Sequence, residues 1–513
     1  VPPENDPLHK IEHIVVLMLE NRSFDNLLGW LYDPENDPPY NVVPGDFDGL
    51  YGKRLSNPGP NGIIVPAGKS YDPRGPQPNP GEPFQDVYSQ LYNVRVTALN
   101  NVPANPSWPP NMQGFVGNYA EQKDKPKDPR IIMNSLTPKT APVLSALAHN
   151  YAVFDRWFAS IPTQTFCNRS FVHAGTSSGY VNNGGGGLCF VNDTLTIFDL
   201  LEGAGKRWNI FCGSWLLESF TLLTQKSLWK YALTDHFAHF RNFVTAAGKK
   251  GGLPHYSFIE PIYFDSIVWG AENDMHPECN LYEFYGPASL IKGEELLWTV
   301  YDAVRNGPDW ESTLLVVVFD EHGGCYEHVP PPTSQTCDVA IAPDDKIIPP
   351  DQPDGAGFKF DRLGPRVPAI AISAYTPAQL RIHGVFEHTS LLSTIVNCFD
   401  LPKGHLGMRQ AKARDIGAAL TLSSARTDRP AIARPQASIV GDLEAEAHSI
   451  VHSKLLQARQ KPVSDLQRTA LHGMAQLTEA GHLHDRIANL ESELAADLLL
   501  MESEAKFVKG RIL

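Results

Sequence analysis

Two short acidic clusters, each following a run of apolar residues, are the first chemistry this chain offers. Glu20-Asn21 follows the apolar run 14–19, and Asp320-Glu321-His322 follows the run 314–319. An ionised carboxylate in apolar surroundings is costly unless it is paired or bound to a cation. Neighbouring carboxylates would also repel each other. Glu20, Asn21, Asp320 and Glu321 together offer oxygen donors that suit a hard divalent ion. A third segment, residues 160–170, carries Thr163, Thr165 and Ser170. Pro162 and its polar neighbours predict a loop leading into a helix near Asn168. A hydroxyl at such a helix N-terminus meets unpaired backbone N–H groups and the positive end of the helix dipole. That setting favours a phosphate and a nucleophilic hydroxyl. On residue type alone the three hydroxyls are equivalent, and helix capping would explain any of them.

The elements that must position these groups read as alternating strands and helices. Residues 14–19, 208–212, 256–259, 314–319 and 367–373 have strand patterns, with helical patterns at 286–305 and 390–399. Such alternation predicts an α/β fold with a mainly parallel sheet and helices on both faces. Ligands in such sheets bind beyond the carboxyl ends of the strands. Residues 33–110 are dense in Pro, Gly, Asn and Asp, which predicts a loop region walling the site. The Gly184–187 run predicts a flexible loop and matches no nucleotide-binding fingerprint. After about residue 435 the composition turns to Ala, Leu, Glu, Gln and Lys. Residues 443–460 and 464–510 read as helices, with a capping box at Ser464 and Gln467. Ile487, Leu490, Leu494 and Met501 fall on one helical stripe. The expectation is a catalytic domain over 1–435. A C-terminal helical segment over 436–513 would pack on that domain or on a second subunit.

Composition narrows the function. The chain has 513 residues, 42% hydrophobic and 19% charged, an ordinary globular balance. No apolar run approaches the roughly 20 residues of a transmembrane helix. A net charge of −14 argues against a nucleic-acid surface. It would also repel an anionic substrate unless concentrated local charge, most directly a metal, draws it in. The seven cysteines form no C-x-x-C pair, so mostly free, buried thiols are expected. The polar, Pro-rich residues 1–8 do not read as a signal peptide.

Several segments together carry a family resemblance. They are His13-Ile-Val-Val-Leu-Met-Leu-Glu-Asn-Arg-Ser-Phe-Asp25 and Phe158-Ala-Ser-Ile-Pro-Thr-Gln-Thr-Phe-Cys-Asn-Arg169. Glu260-Pro261, Asn273-Asp-Met-His-Pro277 and Asp320-Glu-His-Gly-Gly-Cys-Tyr-Glu-His-Val329 follow, then Arg366-Val-Pro368 and Glu387-His-Thr-Ser390. In this order the chain resembles the phosphoesterase family of non-specific phospholipases C and acid phosphatases, within the alkaline phosphatase superfamily. The resemblance implies an alkaline-phosphatase-like fold and one divalent metal ion (Ca, Mg, Mn or Zn) held by Glu20, Asn21, Asp320 and Glu321. It implies Thr165 as nucleophile and His276 as a phosphate-contacting or proton-transferring group. Asn168, Arg169, Glu260, His322, His328 and His388 lie in matching motifs, as substrate-binding or supporting residues.

The chain departs from the family pattern at three places. Cys167 stands where Pro is usual, and Met275 replaces an acidic residue. Asn79-Pro-Gly-Glu-Pro-Phe84 stands where many members have Asp-Pro-Gly-His-Ser-Phe. Glu82 therefore takes a catalytic-site position, either as a protonated acid or as the partner of a cationic head group. The implied activity is phospholipase C-type cleavage of a phosphodiester through a phospho-threonine, on a phospholipid or its head group. The alternatives are an acid-phosphatase-type monoesterase and a catalytically inactive scaffold. Homo-oligomerisation would use the C-terminal helices. The resemblance implies a secreted or periplasmic protein, while the lack of a visible signal peptide and the seven cysteines leave a cytoplasmic one open.

Overall fold

The computed structural model describes residues 7–512 except 38, 41–45, 104–108, 186–187, 215, 265, 267–268, 278–288, 334–357, 436–462, 464 and 479–482. Its central sheet is built from β1 (His13–Leu19), β2 (Ala152–Phe154), β3 (Trp208–Cys212), β4 (Phe237–His239), β5 (Tyr256–Glu260), β6 (Thr313–Phe319), β7 (Ala369–Ser373) and β8 (Leu380–Ile382). The spatial order is β4-β3-β5-β1-β6-β7-β2-β8. Among the described strands only β7 runs against the rest. All seven residues of β1 and of β6 are buried. A strand covered on both faces has no solvent side, so its sequence is continuously apolar rather than alternating. β1 and β6 pair in parallel with Leu19 opposite Phe319. Glu20 and Asp320 therefore leave the sheet side by side, at its carboxyl edge.

The helices that matter below are α1 (Phe24–Leu28), α2 (Phe84–Tyr92), α3 (Thr165–Ala174), α4 (Phe220–Thr224), α5 (Ser289–Asn306), α6 (Thr389–Cys398), α7 (Asp465–Leu477), α8 (Leu483–Ala488) and α9 (Glu493–Ile512). The region 33–110 is not only loop. It holds α2, a hairpin pairing Ser56–Pro58 with Ile64–Pro66, and a strand at Gly68–Ser70 that pairs with Asn134–Leu136. Phe84, Val87 and Leu91 of α2 join Phe115, Tyr119 and Tyr326 in a second apolar core. The Pro and Gly content hid a short amphipathic helix. Gly184–Gly185 forms a small hairpin with Leu188–Cys189, where a loop is expected from the glycines.

The C-terminal segment packs on its own chain. Leu471 and Met474 of α7 enter the main core, and the Cys189 amide donates to Gln476 Oε1 at 3.0 Å. The Leu217 amide donates to Glu504 Oε2 at 3.1 Å. The stripe over 464–510 is broken into three helices: Ile487 is buried on α8, whereas Met501 on α9 is exposed. The 443–460 helix and Ser464 of the capping box lie outside the described residues. Cys167, Cys189, Cys212, Cys325 and Cys398 are free and buried, and Cys279 and Cys337 lie outside the described residues. Among the described residues no helix is long and apolar enough to cross a membrane.

Candidate active site

The two acidic strand ends form one cluster. The Asn21 amide donates to Asp320 Oδ1 at 3.0 Å, and the Glu321 amide donates to the same oxygen at 2.7 Å. Gly323 has φ +63°, and a Cβ there would lie 1.9 Å from the Asn21 carbonyl oxygen. Only glycine lets the two loops approach this closely. Glu20, Asn21, Asp320 and Glu321 are all fully buried. His388, just before α6, donates from Nε2 to the Asp320 carbonyl at 2.6 Å and so pins the end of β6. Burial holds the His388 imidazole below its ordinary pKa. Its Nδ1 accepts from Trp157 Nε1 at 3.4 Å, so both ring nitrogens are engaged within the protein.

Thr165 is the first residue of α3, three positions earlier than the loop chemistry predicts. Its Oγ donates to Glu20 Oε2 at 3.2 Å and is 3.3 Å from Asn21 Oδ1. The other two hydroxyls are engaged elsewhere. Thr163 donates to the Val181 carbonyl at 2.6 Å and Ser170 to the Thr176 carbonyl at 2.7 Å. The three equivalent hydroxyls thus separate by geometry, and only Thr165 faces the carboxylates. Asn168, expected as a substrate-binding or supporting residue, has its amide committed to the backbone. It accepts from the Ile161 amide at 3.0 Å and donates to the Thr163 carbonyl at 2.8 Å, holding the loop that presents Thr165.

Arg169, one turn along α3, donates from Nε to Glu20 Oε1 at 2.9 Å and lies 3.4 Å from Asp320 Oδ2. Its guanidinium covers the Tyr263 ring at 5.1 Å. Burial alone would lower its pKa, but Glu20, Tyr263 and Asp320 outweigh that and raise it. Glu260, at the end of β5, is not a ligand of this cluster. It accepts from Ser219 Oγ at 2.5 Å, the Thr221 amide at 2.9 Å and Tyr263 Oη at 3.2 Å, capping the start of α4.

The remaining histidines divide. His276 Nε2 lies 3.3 Å from Glu82 Oε1, and Asn79 donates to the same oxygen at 2.9 Å. Burial alone would raise the Glu82 carboxyl. The hydrogen bond and charge of His276, with Asn79 and Asn21, instead hold it below its ordinary value. Glu82 is thus the hydrogen-bonded partner of His276, with its carboxyl held down rather than up. His322 is fully buried, 2.8 Å from Gln90 Oε1 and 3.3 Å from Glu321 Oε2, and burial depresses it to about 3. Its Nε2 donates to Gln90, and its Nδ1 makes no hydrogen bond among the described residues, so it is a neutral imidazole held by α2 rather than a proton donor to substrate. His328 is elsewhere: its Nδ1 bonds Asp25 Oδ2 at 2.6 Å and its Nε2 lies 3.2 Å from Asp48 Oδ1. Asp25, Glu327 and His328 sit close enough to share an ion. Arg366, however, already donates to Asp25 at 3.1 Å and to Glu327 at 2.9 Å. In this structure the three are tied into a buried ion-pair network with Arg366, separate from the hydrogen bonds of Thr165.

Several site-building residues escape a sequence reading. Gln90, on the unexpected α2, supports His322. The Asp274 carbonyl accepts from the Glu20 amide at 2.8 Å. Arg22 lies inside the first motif, but nothing in its type or spacing says what a buried guanidinium there would hold.

The acidic cluster fits a divalent cation. Glu321 Oε1 and Asp320 Oδ2 are buried without a hydrogen-bond donor among the described residues. Burial pushes the Glu321 carboxyl well up, and the charges of Glu82 and Asp320 add to it. Burial does the same to Glu20, against the pull of Arg169. One arginine beside three buried carboxylates leaves a charge deficit that a cation would fill.

A model of the phosphoesterase family matches residues 11–402. Non-specific phospholipase C3 of Arabidopsis thaliana is 34% identical over 430 residues, covering 82% of this chain and 75% of its own. Phospholipase C A of Mycobacterium tuberculosis (strain H37Rv) is 26% identical over 451 residues, covering 83% of this chain and 81% of its own. A crystal structure of an alkaline phosphatase superfamily protein from Vibrio parahaemolyticus covers 72% of this chain and 75% of its own, at 10% identity and a TM-score of 0.32.

Proposed function

The chain belongs to the phosphoesterase family and is a hydrolase of phosphoester bonds, and from that premise we propose that it is a metal-dependent phospholipase C-type phosphodiesterase with Thr165 as nucleophile. The observation that carries this reading is the contact of Thr165 Oγ with Glu20 and Asn21, beside Asp320 and Glu321. The curated relatives, whose names describe phospholipases C, support a diester substrate of the phospholipid type. The scaffold alternative is set aside, because every proposed reacting group is present and buried together.

Glu20, Asn21, Asp320 and Glu321 would hold one divalent ion, which supplies Lewis-acid polarisation of the phosphoryl group. Thr165 Oγ attacks phosphorus, and its proton moves along the hydrogen bonds it already makes to the carboxylate cluster. The backbone N–H groups at the start of α3 and the Arg169 guanidinium present positive charge to the phosphoryl oxygens. The phosphorus–oxygen bond to the diacylglycerol-type leaving group breaks, and His276 gives that oxygen its proton. Glu82 holds the imidazole in place. Water then attacks the phospho-threonine and gives its proton to His276, while the departing Thr165 oxygen regains the proton held by the carboxylate cluster.

Turnover of p-nitrophenyl phosphorylcholine and p-nitrophenyl phosphate after metal repletion tests the assignment. Faster hydrolysis of the diester is expected. Hydrolysis of the monoester alone would replace this reading with the acid-phosphatase alternative.

A further inference from the structure

Arg22 is fully buried and makes no salt bridge with a described residue, the charge of Asp274 only partly offsetting its burial. A buried guanidinium without an ion pair is expensive, so the contacts it does make carry weight. Nε donates to the Met275 carbonyl at 2.7 Å. Nη1 donates to the Gly75 carbonyl at 2.7 Å and to Asn26 Oδ1 at 3.1 Å. The two carbonyls belong to the loops that carry His276 and Glu82. The arginine itself directly follows Glu20-Asn21. One planar fork therefore joins the strand end bearing the acidic cluster to both members of the Glu82–His276 pair.

Met275 makes the arrangement more pointed. Its φ is +73°, a left-handed conformation that an unbranched non-glycine residue seldom adopts. It is held there from three sides. Arg22 takes its carbonyl, and Ser289 Oγ accepts from its amide at 2.9 Å. Its side chain fills the space left by Gly293 on α5, where a Cβ would lie 2.3 Å from Met275 Cγ. Strain of this kind persists only where the surroundings over-determine it. Here it sets the direction in which the next residue, His276, leaves the backbone.

We propose that Arg22 and the strained Met275 form a clamp that positions His276, with Arg22 as a positioning residue for leaving-group protonation. This rests on the reading of His276 as the proton donor. The kinetic signature follows from that role. The value of kcat/KM reports steps up to formation of the phospho-threonine. A p-nitrophenolate leaves without a proton, whereas a glycerol alkoxide does not.

The test compares kcat/KM for p-nitrophenyl phosphorylcholine and a short-chain phosphatidylcholine in metal-replete enzyme. His276→Ala should lose on the order of 100-fold on the second substrate and little on the first. Arg22→Lys cannot reach both carbonyls, and Gly293→Ala displaces Met275 from a helix that does not touch the reacting atoms. Both should show the same selectivity, on the order of 10-fold. If His276→Ala is not selective, the reading of His276 falls and takes the clamp with it. If His276→Ala is selective and folded Gly293→Ala and Arg22→Lys lose equally on both substrates, or on neither, the clamp alone is overturned.

Discussion

Thr165 and Glu20 meet through a 3.2 Å hydrogen bond that joins the first residue of α3 to the end of β1. The other Glu20 oxygen takes Arg169 from the next turn of the same helix. Helix and strand end are therefore fixed to each other at both carboxylate oxygens, with the threonine hydroxyl on the cluster side. Thr165→Ala should keep the fold, since the side chain is small and its backbone caps are unchanged. Its turnover should fall on the order of 1000-fold or more. Thr165→Ser should retain measurable activity and trap a phosphoserine at the same position under acid quench. A folded Thr165→Ala protein near wild-type rate would remove the threonine from the mechanism.

In the proposed reading, metal binding to the carboxylate cluster and proton release are a single event. Burial raises the Glu321 carboxyl, so without a cation it holds a proton well above the ordinary carboxylate range. A ligand carboxylate must ionise to bind, so loading the ion should expel a proton. Titration calorimetry of chelator-treated enzyme in buffers of differing ionisation heat should show proton release near neutral pH. Glu321→Gln should abolish that release and lower metal content together. Heat that is independent of buffer would place the ion elsewhere or show the cluster already ionised.

What the sequence discloses here follows from burial on both faces. β1 and β6 are central and parallel, so their apolar runs and the charges that end them stand out. β5 and the antiparallel β7 are buried along their whole length and stand out in the same way, and β3 nearly so, whereas β2, β4 and β8 are three-residue strands too short for a pattern. Direction within a motif is a different matter. Asn168, His328 and Glu260 sit in the right segments, but their side chains turn toward backbone, a second ion network and a helix N-terminus. Glu82 and His276 are far apart in sequence, and no local spacing announces their pairing. Arg22 shares that fault: its partners are carbonyls, which leave no mark on residue type.

The His328 network predicts how stability changes in alkaline solution. Burial alone would lower the His328 imidazolium, but Asp25 and Asp48 outweigh it and raise it to about 9. The folded state then binds a proton that the unfolded chain releases near its ordinary value of about 6.5. The contribution is complete below the unfolded value and disappears as pH climbs through the folded one. Its upper bound is on the order of 3 kcal/mol. Denaturant unfolding from pH 6 to 10 should show this loss, and His328→Gln should flatten it. The same variant should keep kcat at pH 6, because the network lies outside the reacting groups. A His328→Gln protein that is stable but inactive would return His328 to the active site.

Glu82 allows a choice between two roles left open by its residue type. A carboxylate that recognises a cationic head group needs a free oxygen and a path to it. Here the side chain is buried, and Oε1 is engaged by both His276 and Asn79. The group it faces is the His276 imidazole of the protein itself. Glu82→Gln should therefore act through His276: kcat should fall for every substrate that needs leaving-group protonation, with KM nearly unchanged. Because one neutral hydrogen bond replaces a charged one, the loss should be on the order of 10-fold rather than complete. Choline, ethanolamine and uncharged head groups should suffer alike. Glu82→His, which restores the residue common in relatives of the resembled family, places two imidazoles face to face and should not rescue the rate at acidic pH, where both carry charge. The head-group role makes the opposite forecast. It requires Glu82→Gln to raise KM for choline- and amine-bearing substrates while leaving neutral diesters untouched. Steady-state kinetics on a matched series of one charged and one uncharged phosphodiester separates the two, and a selective rise in KM would overturn the assignment of Glu82 as the partner of His276.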